Sequence, residues 1–366
     1  MAEIRVENLH KSFGSFVAVQ NSTFTVADGE FFCLLGPSGC GKTTTLRMIA
    51  GLELPSAGRI LLGDDDVTEK RAAERDIAFV FQLFALYPHM TVRANIAFPL
   101  KCQGMSRAEI RTSVELAART LQISHLLDRR VSGLASGDRQ RVALGRSIVR
   151  RPKAFLMDEP LGALDAEFRH VMTGELRALH NRLDATTVYV THDQLEAMSL
   201  ADKIAIMNHG VVEQLGTPRE IYERPASLFV ADFVGAPPMN FLGFRGGLGI
   251  GAQTIRLGDS VVAVPQIREA LEERDLLLGV RPEDVRLRDC GAVAGEVFGA
   301  EYLGTTQIVT LSTAHGTVRA RLPADVAVQR GEHVGLDFRP EKLSLFDKVT
   351  GRAVRTALTE AGAVHG

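Results

Sequence analysis

The 366 residues include no tryptophan, four tyrosines and four cysteines. Cys33, Cys40, Cys102 and Cys290 stand apart without CxxC spacing, which argues against a zinc site or a disulfide framework. Neither sign of charge is in excess. With 42 basic and 44 acidic residues the net charge is −2, so broad electrostatic binding to nucleic acid or anionic lipid is not expected. Apolar runs fall well short of the roughly 20 residues that span a bilayer. Glu3, Arg5 and Glu7 interrupt the first residues, so no apolar leader is expected and the chain is placed in the cytoplasm. A hydrophobic share of 45% against 23% charged residues fits a globular chain of one large and one smaller domain.

What is present is a glycine-rich stretch, Gly36-Pro37-Ser38-Gly39-Cys40-Gly41-Lys42-Thr43-Thr44. The apolar run Phe31–Leu35 before it reads as a buried strand, and Thr45–Ala50 after it opens a helix. Strand, loop and helix in that order form a P-loop. Its backbone N–H groups point inward at phosphate oxygens, and the helix N-terminus adds a favourable dipole. Lys42 would reach the β- and γ-phosphates and the Thr43 hydroxyl would help hold Mg²⁺, so ATP with Mg²⁺ is the expected ligand.

Around the P-loop, residues 3–30 alternate short apolar stretches with turns, which predicts antiparallel strands flanking the nucleotide core. Phe13, in the turn Lys11–Gly14, is placed to stack on a purine ring. Ile77–Phe81 predicts another strand with Gln82 at its end, followed by an unusually apolar loop, Leu83–Met90, that implies burial or a partner surface. Residues 92–150 read as mostly helical. Ser106 with Glu109 makes a capping box, with Ile110, Val114, Ala117 and Leu121 on one face, and another helix opens near Gly137-Asp138. The strand Ala154–Met157 delivers Asp158 and Glu159 beside the P-loop, Asp158 toward Mg²⁺ and Glu159 to polarise the attacking water. A helix over Ala166–Leu183 and a strand over Thr187–Thr191 lead to His192, which is placed to donate to a γ-phosphate oxygen.

Gly235-Ala236-Pro237-Pro238 marks the expected domain boundary. Beyond it, segments 280–287 and 338–345 echo each other through Arg281-Pro282-Glu283 and Arg339-Pro340-Glu341. That repeat suggests a small barrel of two related halves. The expected organisation is an ATP-binding domain over 1–235 with a helical subdomain at about 90–150. A β-rich, OB-like domain follows over 236–351, then a frayed tail over 352–366. The fold class is α/β: a P-loop NTPase core with an antiparallel flank, then a smaller all-β domain.

The order P-loop, Gln82, helical insertion, Leu134–Asp138, Asp158-Glu159, Leu164-Asp165 and His192 resembles the ATP-binding subunit of an ABC importer. The C-terminal extension resembles that of the maltose and glycerol-3-phosphate importer type. The resemblance implies that two such subunits sandwich two ATP molecules, each held by one P-loop and the partner's signature loop. It implies that Asp165 contacts the partner P-loop and that transmembrane permease subunits seat near Gln82. Glu159 would be the base, and a solute-binding protein an indirect partner. The chain would then sit on the cytoplasmic face of the membrane, with a sugar, polyol or glycerol phosphate as cargo.

One segment departs from the family pattern. Where Leu-Ser-Gly-Gly-Gln is expected, the chain has Leu134-Ala135-Ser136-Gly137-Asp138. Asp138 suits a helix cap, yet it puts negative charge where a partner's γ-phosphate docks. Either Ser136 and backbone N–H groups suffice in a homodimer, or the chain pairs as a heterodimer with a second ATPase whose signature is intact. The alternatives in function are a non-transport ABC ATPase or a catalytically impaired regulatory half of an asymmetric pair. Cys40, beside Lys42 and a helix N-terminus, is expected to have a lowered thiol pKa.

Overall fold

A computed structural model describes residues 2–82, 85–150, 152–162 and 164–360. It divides into two compact units, residues 1–218 and 219–366.

The first unit opens with the antiparallel hairpin β1 (Ile4–Phe13) and β2 (Phe16–Val26), whose bulged register runs from Ile4↔Val26 to Phe13↔Phe16. Then come β3 (Phe31–Leu35), α1 (Lys42–Ala50), β4 (Ala57–Leu62), β5 (Asp65–Asp66) and β6 (Ile77–Val80). The helical insertion contains α2 (Val92–Cys102), α3 (Arg107–Thr120) and α4 (Ser136–Ile148). The chain returns through β7 (Ala154–Asp158), α5 (Ala166–Leu183), β8 (Thr187–Thr191), α6 (Gln194–Leu200), β9 (Lys203–Asn208) and β10 (Val211–Gly216).

Two sheets result. A six-stranded sheet has the order β10-β9-β3-β8-β7-β6, parallel from β9 to β6, and a four-stranded antiparallel sheet has the order β2-β1-β4-β5. All five residues of β3, β7 and β8 are buried, as expected of central parallel strands with both faces covered. Because β6, β7, β8 and β3 are neighbours running the same way, the residues that follow each strand gather along one edge of the sheet. The expected capping box forms. Ser106 Oγ accepts from Glu109 N–H at 3.3 Å, while Ser106 N–H donates to Glu109 Oε2 at 2.9 Å, and Val114, Ala117 and Leu121 are buried.

The second unit carries the short helices α7 (Pro218–Glu223) and α8 (Leu228–Phe233), then β11 (Asn240–Leu248), β12 (Thr254–Leu257), β13 (Ser260–Ala263), β14 (Leu271–Val280) and β15 (Val285–Arg288). It continues through β16 (Val293–Tyr302), β17 (Thr306–Thr313), β18 (Gly316–Pro323), β19 (His333–Phe338), β20 (Ser344–Asp347) and α9 (Ala357–Glu360). These strands sort into sheets of order β11-β14-β20, β12-β13 and β15-β19-β16-β17-β18 around one apolar core. The two Arg-Pro-Glu segments behave as a repeat. Each opens a single 3₁₀ turn, and the strands exchange partners across it. β14, before the first turn, pairs with β20, after the second, and β19 pairs with β15.

Two expected limits shift. The compact second unit begins before Gly235, because buried Arg281 donates to the carbonyls of Tyr222, Ala231 and Val234 and stacks 4.2 Å from the Tyr222 ring. The chain does not fray at Gly351. Val354 is buried, Arg352 pairs with Glu269 at 2.8 Å, and bridges join Arg352 to Ser227 and Thr356 to Ile267. Residues 361–366 of the expected tail lie outside the described residues. No helix among the described residues is long and apolar enough to cross a membrane.

Candidate functional site

The glycine-rich loop leaves β3 and turns into α1 in a space too tight for side chains at two points. A Cβ on Gly36 would lie 2.2 Å from Met207 O, and one on Gly41, whose φ is 105°, would lie 2.5 Å from Ala18 O. Ala18 and Met207 belong to β2 and β9, so both sheets brace the loop from behind. Lys42 is 4% exposed, and its ammonium donates to the carbonyls of Gly36 and Pro37, each at 2.9 Å. The loop is therefore wrapped around the Lys42 cation. Ser38 and Gly39 at its crest are exposed, and Thr43 and Thr44 are half-buried.

Facing the loop, β7 ends in Asp158, which is 7% exposed and accepts from Thr43 Oγ1 at 2.9 Å. Burial pushes the Asp158 carboxyl above its ordinary range, while the Thr43 hydrogen bond and Arg47 pull the other way. The next residue, Glu159, has φ 43°, an uncommon conformation outside glycine, and its N–H donates to Val190 O of β8 at 3.0 Å. This turn swings the carboxylate out of the sheet. Gln82 Nε2, after β6, donates to Glu159 Oε2 at 3.4 Å, and His192 Nδ1, after β8, lies 3.2 Å from Glu159 Oε1. Three strand ends thus meet at one carboxylate beside the Thr43–Asp158 pair. Glu159 keeps 21% side-chain exposure and His192 53%, so the group is open to a ligand and to water.

The other expected residues occupy different places. Phe13 stands 47% exposed at the hairpin end, with the Lys11 ammonium 4.8 Å from its ring centre. Leu134 is buried, Ala135 is the N-cap of α4 without a side-chain cap bond, and the helix begins at Ser136. Asp138 therefore does not cap the helix as expected, but lies in its first turn, while Gly137 is buried. Asp165 precedes α5, and its carbonyl accepts from Arg169 N–H at 2.9 Å. Of the apolar loop after Gln82, Leu83 and Phe84 lie outside the described residues. Tyr87 packs on Phe98 with ring centres 4.8 Å apart, and Arg146 of α4 donates to Ala85 O at 2.7 Å.

Cys40 corrects an expectation. Its thiol is 3% exposed, and burial raises its pKa further than the neighbouring Lys42, 3.8 Å away, lowers it. A residue that sequence reasoning did not single out is Arg75. It is 1% exposed and donates to the carbonyls of Met48, Ile49, Thr68 and Lys70, closing the C-terminal end of the P-loop helix. Periodicity carries no signal for a lone arginine of this kind.

Two family models match the chain: the ABC transporter family over residues 19–162 and the TOBE domain over residues 278–346. Among curated proteins, the trehalose/maltose import ATP-binding protein MalK of Thermococcus litoralis is 46% identical, covering 97% of this chain and 100% of that protein. The trehalose import ATP-binding protein SugC of Mycobacterium tuberculosis is 43% identical over 96% of this chain and 98% of its own. The sn-glycerol-3-phosphate import ATP-binding protein UgpC of a Jannaschia species is 45% identical over 96% and 99%. Among solved structures, cbiO1 of Clostridium perfringens, part of an ABC transporter complex, matches 60% of the chain and 89% of its own, with TM-score 0.56 and 28% identity. A nucleotide-free ATP-binding cassette from an ABC transporter matches 59% and 92%, with TM-score 0.53 and 25% identity.

Fold and site define an ABC-type ATPase with a C-terminal TOBE domain. The chain belongs to the ABC transporter family as an import ATP-binding subunit, an enzyme that binds ATP and couples its hydrolysis to transport. The relatives favour this over a non-transport ATPase or an impaired regulatory half.

Proposed function

We propose that this chain powers uptake of a sugar, polyol or glycerol phosphate; trehalose, maltose and sn-glycerol-3-phosphate are the solutes named for its relatives. The observation that carries the catalytic reading is the meeting of Gln82, Glu159 and His192 beside the Thr43–Asp158 pair. The loop N–H groups of residues 36–44 and the Lys42 ammonium bind the phosphates of ATP, and Phe13 stacks on adenine. The Thr43 hydroxyl, the Asp158 carboxylate and the Gln82 amide oxygen are hard oxygen donors suited to Mg²⁺. Bound there, Mg²⁺ would neutralise charge building between the β- and γ-phosphates. Glu159 accepts the proton of the attacking water, Gln82 and His192 hold that carboxylate in place, and His192 senses the γ-phosphate.

Leu134–Asp138 serves the partner's ATP and Asp165 the dimer contact, in a pair that closes on two nucleotides and drives transmembrane permease subunits fed by a solute-binding protein. The chain then works on the cytoplasmic face of the membrane. The alteration at Ala135 and Asp138 touches only the segment lent to the partner, which favours a heterodimer with a second ATPase over a homodimer. Size-exclusion chromatography of Glu159→Gln with Mg²⁺-ATP, mixed with candidate ATPases from the same genome, tests this. Retention of ATP in a trapped dimer with one such partner supports the reading. Trapping only with itself replaces the heterodimer by a homodimer, and failure to bind ATP removes the reading altogether.

A further inference from the structure

We propose that Arg169, in the first turn of α5, is a positioning residue that ties the loop carrying Asp165 to the loop carrying His192. This rests on the ATPase reading above, and it adds a route by which the two loops move together. The guanidinium reaches acceptors on both. Nη2 donates to Leu164 O at 2.9 Å, one residue before Asp165, and Nη1 donates to Asp193 Oδ2 at 3.1 Å, one residue after His192. Nε lies 3.6 Å from Glu196 Oε1, whose side chain is only 5% exposed. The backbone N–H of Arg169 also donates to Asp165 O at 2.9 Å.

Beyond the guanidinium, the contacts leave no slack toward His192. Asp193 Oδ1 caps α6 through Leu195 N–H at 2.8 Å and Glu196 N–H at 3.2 Å. Glu196 Oε2 accepts from Tyr189 OH at 2.8 Å and Thr191 Oγ1 at 2.7 Å, and Thr191 Oγ1 accepts from Asp193 N–H at 2.9 Å. His192 is thus held on both sides, by Thr191 bonded to the buried Glu196 carboxylate and by Asp193 bonded to Thr191 Oγ1 and to Glu196 N–H. Burial pushes that carboxyl upward, opposed by the Thr191 and Tyr189 hydrogen bonds and by the Arg169 charge. An arginine suits this place because its planar fork offers five donors in fixed directions, whereas a lysine is a single flexible point charge. Here the acceptors come from two loops that both border the ATP site, so a shift of His192 toward phosphate moves Leu164 and Asp165 through one rigid group.

Arg169→Lys tests this directly in the Asp138→Gln chain, with steady-state ATP hydrolysis, its dependence on ATP concentration and the melting temperature all recorded. The expected result is a kcat lower by about 10- to 100-fold with the ATP KM changed by less than about twofold. The Hill coefficient falls toward about 1, because the two sites no longer communicate. Glu196→Gln, which keeps an oxygen for Tyr189 and Thr191, moves the same quantities the same way by less. A wild-type kcat and Hill coefficient in Arg169→Lys overturn the proposal. So does a kcat loss accompanied by a melting temperature lowered by more than about 10 °C, which marks a purely structural role. If the Asp138→Gln parent binds no ATP, the ATPase reading falls and this proposal falls with it. If it binds ATP without turnover, the same comparison is made in the mixed dimer with the partner ATPase, where an unchanged kcat and Hill coefficient overturn the proposal.

Discussion

Asp158→Asn separates the stability of the site from its chemistry. The wild-type carboxylate is 7% exposed and its pKa is raised by burial, so the fold prefers its neutral form. For a raised carboxyl, stability is fully present below the unfolded-state value and is lost as pH climbs through the folded value. Asparagine keeps an oxygen to accept the Thr43 hydroxyl, now 2.9 Å from Asp158 Oδ1, and removes the charge. Removing a buried charge that the fold disfavours should stabilise the nucleotide-free protein by about 1–2 kcal/mol, the size of an ordinary stabilising substitution. In a unit of this size that raises the melting temperature by about 3–6 °C. Thermal melts of both proteins across a pH series check this. The gap should vanish below the unfolded-state carboxylate value and widen as pH rises through the raised folded value. Adding Mg²⁺-ATP should reverse the order, because the wild type gains a ligand that the variant binds poorly. A variant no more stable than wild type at the higher pH refutes the reasoning, since Arg47 would then already compensate the buried charge.

Two further expectations follow from burial. Arg75→Leu leaves the carbonyls of Met48 and Ile49 unpaired at the end of the P-loop helix, which should cost about 3–5 kcal/mol, read by urea unfolding; a loss under about 1 kcal/mol contradicts the capping role. In a thiol titration at neutral pH, exposed Cys102 and Cys290 should react fast and buried Cys33 and Cys40 slowly, while rapid modification of Cys40 assigned by peptide mapping would contradict the raised thiol pKa.

Much of the first unit was legible because its signals are local. The helix Ala166–Leu183 and the strand Thr187–Thr191 fall at the bounds read from the sequence, and the glycine-rich loop announces its own geometry. Asp158, Glu159, Gln82 and His192 were legible as residues at strand ends, and the parallel order of β6, β7 and β8 explains why they converge. Long-range contacts were not legible. The second unit starts early because Arg281 reaches carbonyls 47 to 59 residues back in sequence, and no local pattern encodes that. Cys40 was misjudged for a related reason. Its neighbours in sequence lower a thiol pKa, but its burial is set by the packing of the loop against β2 and β9. Asp138 looked like a cap because acidic residues favour helix starts, yet the helix begins two residues earlier.

The most direct test of the central claim is ATP turnover by the Asp138→Gln chain, which restores a neutral residue in the segment lent to a partner, with and without Glu159→Gln. The account predicts turnover that climbs faster than protein concentration. It also predicts that adding Glu159→Gln lowers turnover by at least about 100-fold while ATP binding is retained. Turnover that ignores Glu159→Gln would show that the carboxylate gathered by Gln82 and His192 is not the one that activates water.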